Sequence, residues 1–172
     1  TGAAAPGRKD MAKVWINVAL LAAVSACASY SGRNLVPGKS TAAEVEASMG
    51  KPAEVVTLTG GDALWQYPRG PAGRQTYAVR LGPDNVVREV SQVLTMQNLA
   101  QLAPGKSTPE DAKRVLGPPF SIVPMTRLGR DVWEYYMYDD TRPIIVYLQF
   151  DSDRRLREVL RGDATAFRQR GR

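Results

Sequence analysis

Apolar positions along the chain alternate between two periods, and the alternation happens twice. Val45 and Met49 lie four apart behind Thr41-Ala-Ala-Glu44. Ala112, Val115 and Leu116 make the equivalent stripe behind Thr108-Pro-Glu-Asp111. A hydroxyl three residues ahead of a carboxylate is a helix-capping pattern, and Pro109 suits the first helical position. Each stripe therefore predicts a short helix with one buried face, stopped at Gly50 and Gly117. After each helix come short runs rich in β-branched and aromatic residues, roughly 54–59, 63–68, 76–81 and 86–94, then 120–126, 131–138, 144–150 and 155–160. Turn residues such as Gly60-Gly61-Asp62, Gly82-Pro83-Asp84-Asn85 and Asp151-Ser152-Asp153 separate them, which predicts antiparallel meanders. Met96, Leu99 and Leu102 predict a short connector helix between the halves.

The two halves also share residues. Pro37-Gly-Lys-Ser-Thr41 returns as Pro104-Gly-Lys-Ser-Thr108, Gly50 and Pro52 return as Gly117 and Pro119, and Trp65 and Tyr67 as Trp133 and Tyr135. Leu81, Asp84, Glu89 and Val90 return as Phe150, Asp153, Glu158 and Val159. The expected fold class is α+β, with two tandem repeats, each a short helical segment followed by an antiparallel β-meander. In such an arrangement shared residues build the scaffold and differing ones carry function. The expected divisions are an upstream extension at 1–10, a signal segment at 11–26, repeats at 27–94 and 95–160, and a basic tail at 161–172.

Composition narrows the chemistry. The chain of 172 residues is 44% hydrophobic, has no histidine and holds one cysteine. Zinc fingers, histidine-based triads, cysteine–histidine pairs and internal disulfides are thereby excluded. The net charge of +6 gathers toward the ends, so a basic tail is expected and a nucleic-acid interface is not. The tail could touch anionic lipid headgroups or acidic surfaces.

The doubled Gly-Lys-Ser-Thr imitates a phosphate-binding loop but lacks the glycine five positions earlier, where Arg33 and Ala100 stand, so a turn with a helix cap is expected. Asp84 and Asp153 belong to turns and do not form a catalytic dyad. The repeat-matched acids Glu44, Glu89, Asp111 and Glu158 read as caps and solvent-facing strand positions, and Arg161-Gly162-Asp163 reads as a chance tripeptide. The expectation is of no enzyme, no cofactor and no metal.

From Met11 the chain runs Met-Ala-Lys into an apolar stretch of about eleven residues, Val14 to Val24, then Ser25-Ala26-Cys27. That stretch is too short for a bilayer core of about 30 Å and suits a signal peptide. Ser25-Ala26-Cys27 resembles a bacterial lipobox, which implies that the Cys27 thiol takes a diacylglycerol, with palmitate among its acyl chains, and anchors the protein. Ala28 follows where aspartate would favour inner-membrane retention. That resemblance implies the periplasmic face of an outer membrane.

The succession of lipobox, Pro-Gly-Lys-Ser-Thr, short helix ending in Gly-x-Pro, Trp-x-Tyr and a strand ending in an apolar residue and aspartate resembles the SmpA/OmlA/BamE lipoproteins, from about Val36 to Leu160. The resemblance implies a small α+β unit on a lipid-anchored protein that supports β-barrel assembly and envelope integrity. Its partners would be outer-membrane or periplasmic proteins, the β-barrel assembly machinery among them. Here the unit is doubled, which is also similar to the β-lactamase-inhibitor-protein architecture, where paired repeats grip another protein. That gives the alternative of a periplasmic enzyme inhibitor, with Asp139-Asp140-Thr141-Arg142 and the 69–74 loop as the segments to insert.

The copies differ most on one face. Strand alternation puts Trp133, Tyr135 and Met137 on one side and Glu134, Tyr136 and Tyr138 on the other, where the first copy has Gln66 and Pro68. Ile145 and Tyr147 fall on that same side, where the first copy has Ala78 and Arg80. Tyr136, Tyr138, Ile145 and Tyr147 are the expected partner-binding patch, unless another part of the chain covers them.

Overall fold

The computed structural model describes residues 30–70 and 73–164. Cys27, the expected signal segment 11–26 and the end of the basic tail lie outside the described residues.

Helix α1 (Ala42–Met49) opens on a reciprocal cap: the Thr41 hydroxyl accepts from the Glu44 N–H while the Glu44 carboxylate accepts from the Thr41 N–H at 2.7 Å. Thr95 caps the short α2 (Met96–Leu99). Thr108 and Asp111 repeat the reciprocal cap at α3 (Pro109–Leu116). Here the carboxylate lies beside unpaired N–H groups, and these hydrogen bonds, that from Thr108 N–H first, hold the Asp111 carboxyl below its ordinary range. No helix among the described residues is long and apolar enough to cross a membrane.

Strands β1 (Glu54–Thr57), β2 (Ala63–Arg69), β3 (Gln75–Leu81) and β4 (Val87–Gln92) form one antiparallel sheet in chain order. Strands β5 (Ser121–Met125), β6 (Arg130–Asp139), β7 (Arg142–Asp151) and β8 (Leu156–Asp163) form a second. The fold is α+β with two antiparallel four-stranded sheets. Strand β8 outruns its expected end at 160. The long β7 offers partners to Arg161, Gly162 and Asp163, so the first three residues assigned to the basic tail belong to the sheet.

The doubled Pro-Gly-Lys-Ser-Thr has a structural use. Gly38 N–H donates to Val87 C=O and Val87 N–H to Ser40 C=O, both at 2.8 Å. Gly105, Leu156 and Ser107 make the same exchange at 2.7 and 2.8 Å. Gly38 and Gly105 sit at φ 77° and 79°, where side chains are disfavoured. The motif pins each helix entry to the last strand of its sheet through the glycine N–H, while its lysine and serine N–H groups donate to Val36 C=O and Ala103 C=O.

The described residues pack into two cores. Val45 and Met49 of α1 pack with Tyr67, Val79, Leu81 and Val87 on the inner face of the first sheet. Ala112 and Leu116 of α3, with Leu99 and Leu102, pack on Trp133, Tyr135, Met137, Val146, Leu148 and Phe150 of the second. Helix α3 also has an opposite side, which lies on the outer face of the first sheet. Gln66 Nε2 donates to Lys113 C=O at 2.7 Å, the Lys113 ammonium stands 2.6 Å from the Glu54 carboxylate, and Gly117 rests on Thr76. The layers therefore run α1, first sheet, α3, second sheet.

Candidate functional site

The outer face of the second sheet is built by the even positions of β6 and the odd positions of β7. Register pairs Glu134 with Tyr147 and Tyr136 with Ile145, and sets Ser121 of β5 beside Glu134 and Leu160 and Gly162 of β8 beside Tyr147 and Ile145. This register corrects one sequence pairing. With Tyr67↔Tyr77 in the first sheet and Tyr135↔Val146 in the second, Ile145 answers to Thr76 and Tyr147 to Ala78, while Arg80 answers to Gln149.

All four expected patch residues share this face, but unequally. Tyr138 is exposed, Tyr136 and Tyr147 are half-buried, and Ile145 is 1% exposed. Its register partners are Tyr136 on β6 and Gly162 on β8. A Cβ at Gly162 would meet the Tyr147 ring at 3.6 Å, so that ring leans over the glycine. Burial, with Glu134 and Tyr136 alongside, pushes the Tyr147 phenol above its ordinary range. Phe120, just before β5, stacks edge-on against Tyr136 with ring centroids 4.8 Å apart.

The face is wider than the sequence patch. Val132 and Leu160 extend it by strand alternation, as does Val123 through its pairing with Val132. Of ten exposed large hydrophobic residues among those described, seven fall between Phe120 and Leu160, which concentrates apolar surface on the second sheet and its rim. The sequence pattern sets Phe120 at the head of the expected strand 120–126, whereas the residue stands just before β5, and assigns no face to Leu160 on β8.

The same face of the first sheet is shut. Gln66 and Thr76 are fully buried and Ala78 nearly so, all beneath α3. The two faces thus share strand order and register but differ in cover.

Of the four matched acids three are engaged elsewhere, and Glu158 stands exposed on β8. Glu44 and Asp111 are caps, Glu89 pairs with Arg80 at 3.4 Å, and Asp84 pairs with Arg88 at 2.7 Å, a hydrogen bond that holds its carboxyl low. Asp84 and Asp153 sit in turns of separate sheets. Among the described residues no group of three or more His, Cys, Asp or Glu could hold a metal ion. Asp140-Thr141 forms a two-residue hairpin turn between β6 and β7, with Asp140 at φ 56°.

No family model matches the sequence, and no curated protein matches it. Among solved structures the chain is similar to a DUF4309 family protein (YjgB) from Bacillus subtilis, 21% identical, over 76% of this chain and 83% of that one, with a TM-score of 0.30. A likeness that distant carries no argument about what the chain does.

Proposed function

We propose that the chain is one α+β unit used twice, over 27–94 and 95–160, and that it acts as a non-enzymatic protein-contact module. Lipid on Cys27 holds it at the periplasmic face of an outer membrane, and its contacts serve β-barrel assembly or envelope integrity. The sequence resemblance to the SmpA/OmlA/BamE lipoproteins supports the setting. The observation that carries the contact role is the contrast between sheets: one outer face is sealed by α3, while its counterpart holds Tyr136, Tyr138 and Tyr147 at least partly open. Tyrosines at such a surface supply large contact area at low entropic cost.

The test is light crosslinking in a diderm bacterium producing the full chain, followed by recovery from the outer membrane, with Cys27→Ala as control. The expected outcome is co-recovery of barrel-assembly proteins only with the acylated form, reduced by Tyr136→Ala with Tyr147→Ala at unchanged Tm. Recovery of a soluble periplasmic enzyme instead would replace this reading with the inhibitor one. A collapse of Tm in the double variant would return the tyrosines to a packing role.

A further inference from the structure

The outer face of the first sheet is a helix seat, and its contacts with α3 define what such a seat needs. Gln66 gives an amide proton to a helix carbonyl, Glu54 takes the Lys113 ammonium, and the small surfaces of Pro68, Thr76 and Ala78 complete the floor, with Thr76 against Gly117. The second sheet repeats the geometry. Ser121 pairs with Glu134 as Glu54 pairs with Gln66, and Glu134 pairs with Tyr147 as Gln66 pairs with Ala78.

Only the chemistry differs. Where Gln66 could donate, Glu134 accepts alone, and one of its oxygens is taken by the Ser121 hydroxyl at 2.6 Å. Its remaining lone pairs call for a donor on whatever lies above. Pro68, Thr76 and Ala78 give way to Tyr136, Ile145 and Tyr147, so the floor becomes aromatic and apolar.

We infer that the outer face of the second sheet seats an amphipathic helix of another protein, one that sets a lysine or arginine over Glu134 and an apolar stripe over Tyr136 and Tyr147. This deepens the contact-module reading and rests on it. A second copy of this chain does not fit. Among the described residues the helix it could offer is α1, whose outward side is exposed, and that helix carries Glu46 at the place Lys113 holds in α3. Seated as α3 is, α1 would set Glu46 at Ser121, which answers to Glu54, with the Glu134 carboxylate alongside, and the two charges would repel.

The test places the photocrosslinker p-benzoylphenylalanine at Tyr147 in the full chain in living cells, with Ala47 on the outward side of α1 as a second site, and maps crosslinked peptides by mass spectrometry. The expected result is a crosslink at Tyr147 to a helical segment of another protein bearing a basic residue. Glu134→Lys should cut its yield about tenfold or more, and a matching Lys→Glu or Arg→Glu change in the partner should restore it. Crosslinks at Tyr147 that map to an extended segment, or to a second copy, overturn the inference. So does a yield indifferent to Glu134→Lys. Partner crosslinks at Ala47 alone would sink this inference and leave the contact-module reading standing, whereas none at either site would count against both.

Discussion

Tyr67 on β2 and Tyr135 on β6 hold matching places and are equally buried, each 1% exposed, yet their hydroxyls meet different surroundings. Tyr135 donates to Gly117 C=O at 3.1 Å, closing the end of α3. Tyr67 has no hydrogen-bond partner for its hydroxyl among the described residues, because the guanidinium of Arg69 reaches the end of α1 instead and donates to Met49 C=O at 2.7 Å. A made buried hydrogen bond and an unmade one have opposite consequences on deletion. Tyr135→Phe should lower the unfolding free energy by about 1 kcal/mol or more, and Tyr67→Phe should leave it unchanged or raise it by up to about 1 kcal/mol, both read from urea denaturation. The two also separate with pH. Burial raises the Tyr67 phenol from 10.0 to about 12, with Arg69 opposing and Glu46 assisting. A folded-state value above the unfolded one means a contribution fully present below pH 10 and lost as pH climbs to about 12. Tyr67→Phe removes that loss, so its stability should fall less steeply than the parent's across that window. An identical alkaline profile would mean the hydroxyl is not buried in solution.

Between helix and sheet, the matched glycines that end α1 and α3 report which packing each helix makes. Gly50 and Gly117 have nearly the same backbone, φ 82° and 89° with extended ψ, a region open essentially to glycine. A Cβ at Gly50 meets nothing within 4 Å, whereas one at Gly117 would stand 2.6 Å from Thr76 Cγ2 on the first sheet. Gly50→Ala should cost the backbone strain alone, about 1–3 kcal/mol. Gly117→Ala should cost about 2 kcal/mol more, for overpacking between layers. Thr76→Ser removes the obstructing methyl and should recover most of that difference in a double-mutant cycle, with no such recovery in the Gly50→Ala background. Equal costs for both glycines would contradict the seating of α3 on the first sheet. That seating is what sequence could not supply. The helix starts were legible because a Thr with a carboxylate three residues on has one common use, and the inner faces were legible because Trp133, Tyr135 and Met137 alternate cleanly with polar or bulky neighbours. The second side of α3 was not legible, since Gln66 and Lys113 are residue types that pattern reading assigns to water, while here they face each other between layers. The patch was legible as a face but not as an extent: Tyr136 and Tyr147 follow from alternation, whereas alternation assigns Ile145 to the same face without marking it as buried.

The whole molecule is a stack with unlike ends, the outward side of α1 at one and the aromatic face of the second sheet at the other. The internal junction between first sheet and α3 is head-to-tail, and a head-to-tail contact repeated between molecules builds rings where its rotation closes and filaments where it does not. A chain built this way needs a device against its own association, and the one its surfaces carry is charge. Lys113 serves the internal junction through Glu54, and the matching residue at the free helix is Glu46, of the same sign as Glu134, which stands beside Ser121, the residue that answers to Glu54. Reversing one charge should therefore release the stacking. Glu46→Lys, introduced into the chain carrying Cys27→Ala so that no lipid complicates hydrodynamics, should associate with rising concentration in sedimentation velocity, more strongly at low salt, while the parent sediments unchanged. Adding Glu134→Lys should abolish that association, because like charges then meet again at the same place. Persistence of association in this last variant would assign it to some other surface and remove the charge from any role in keeping one stack from joining the next.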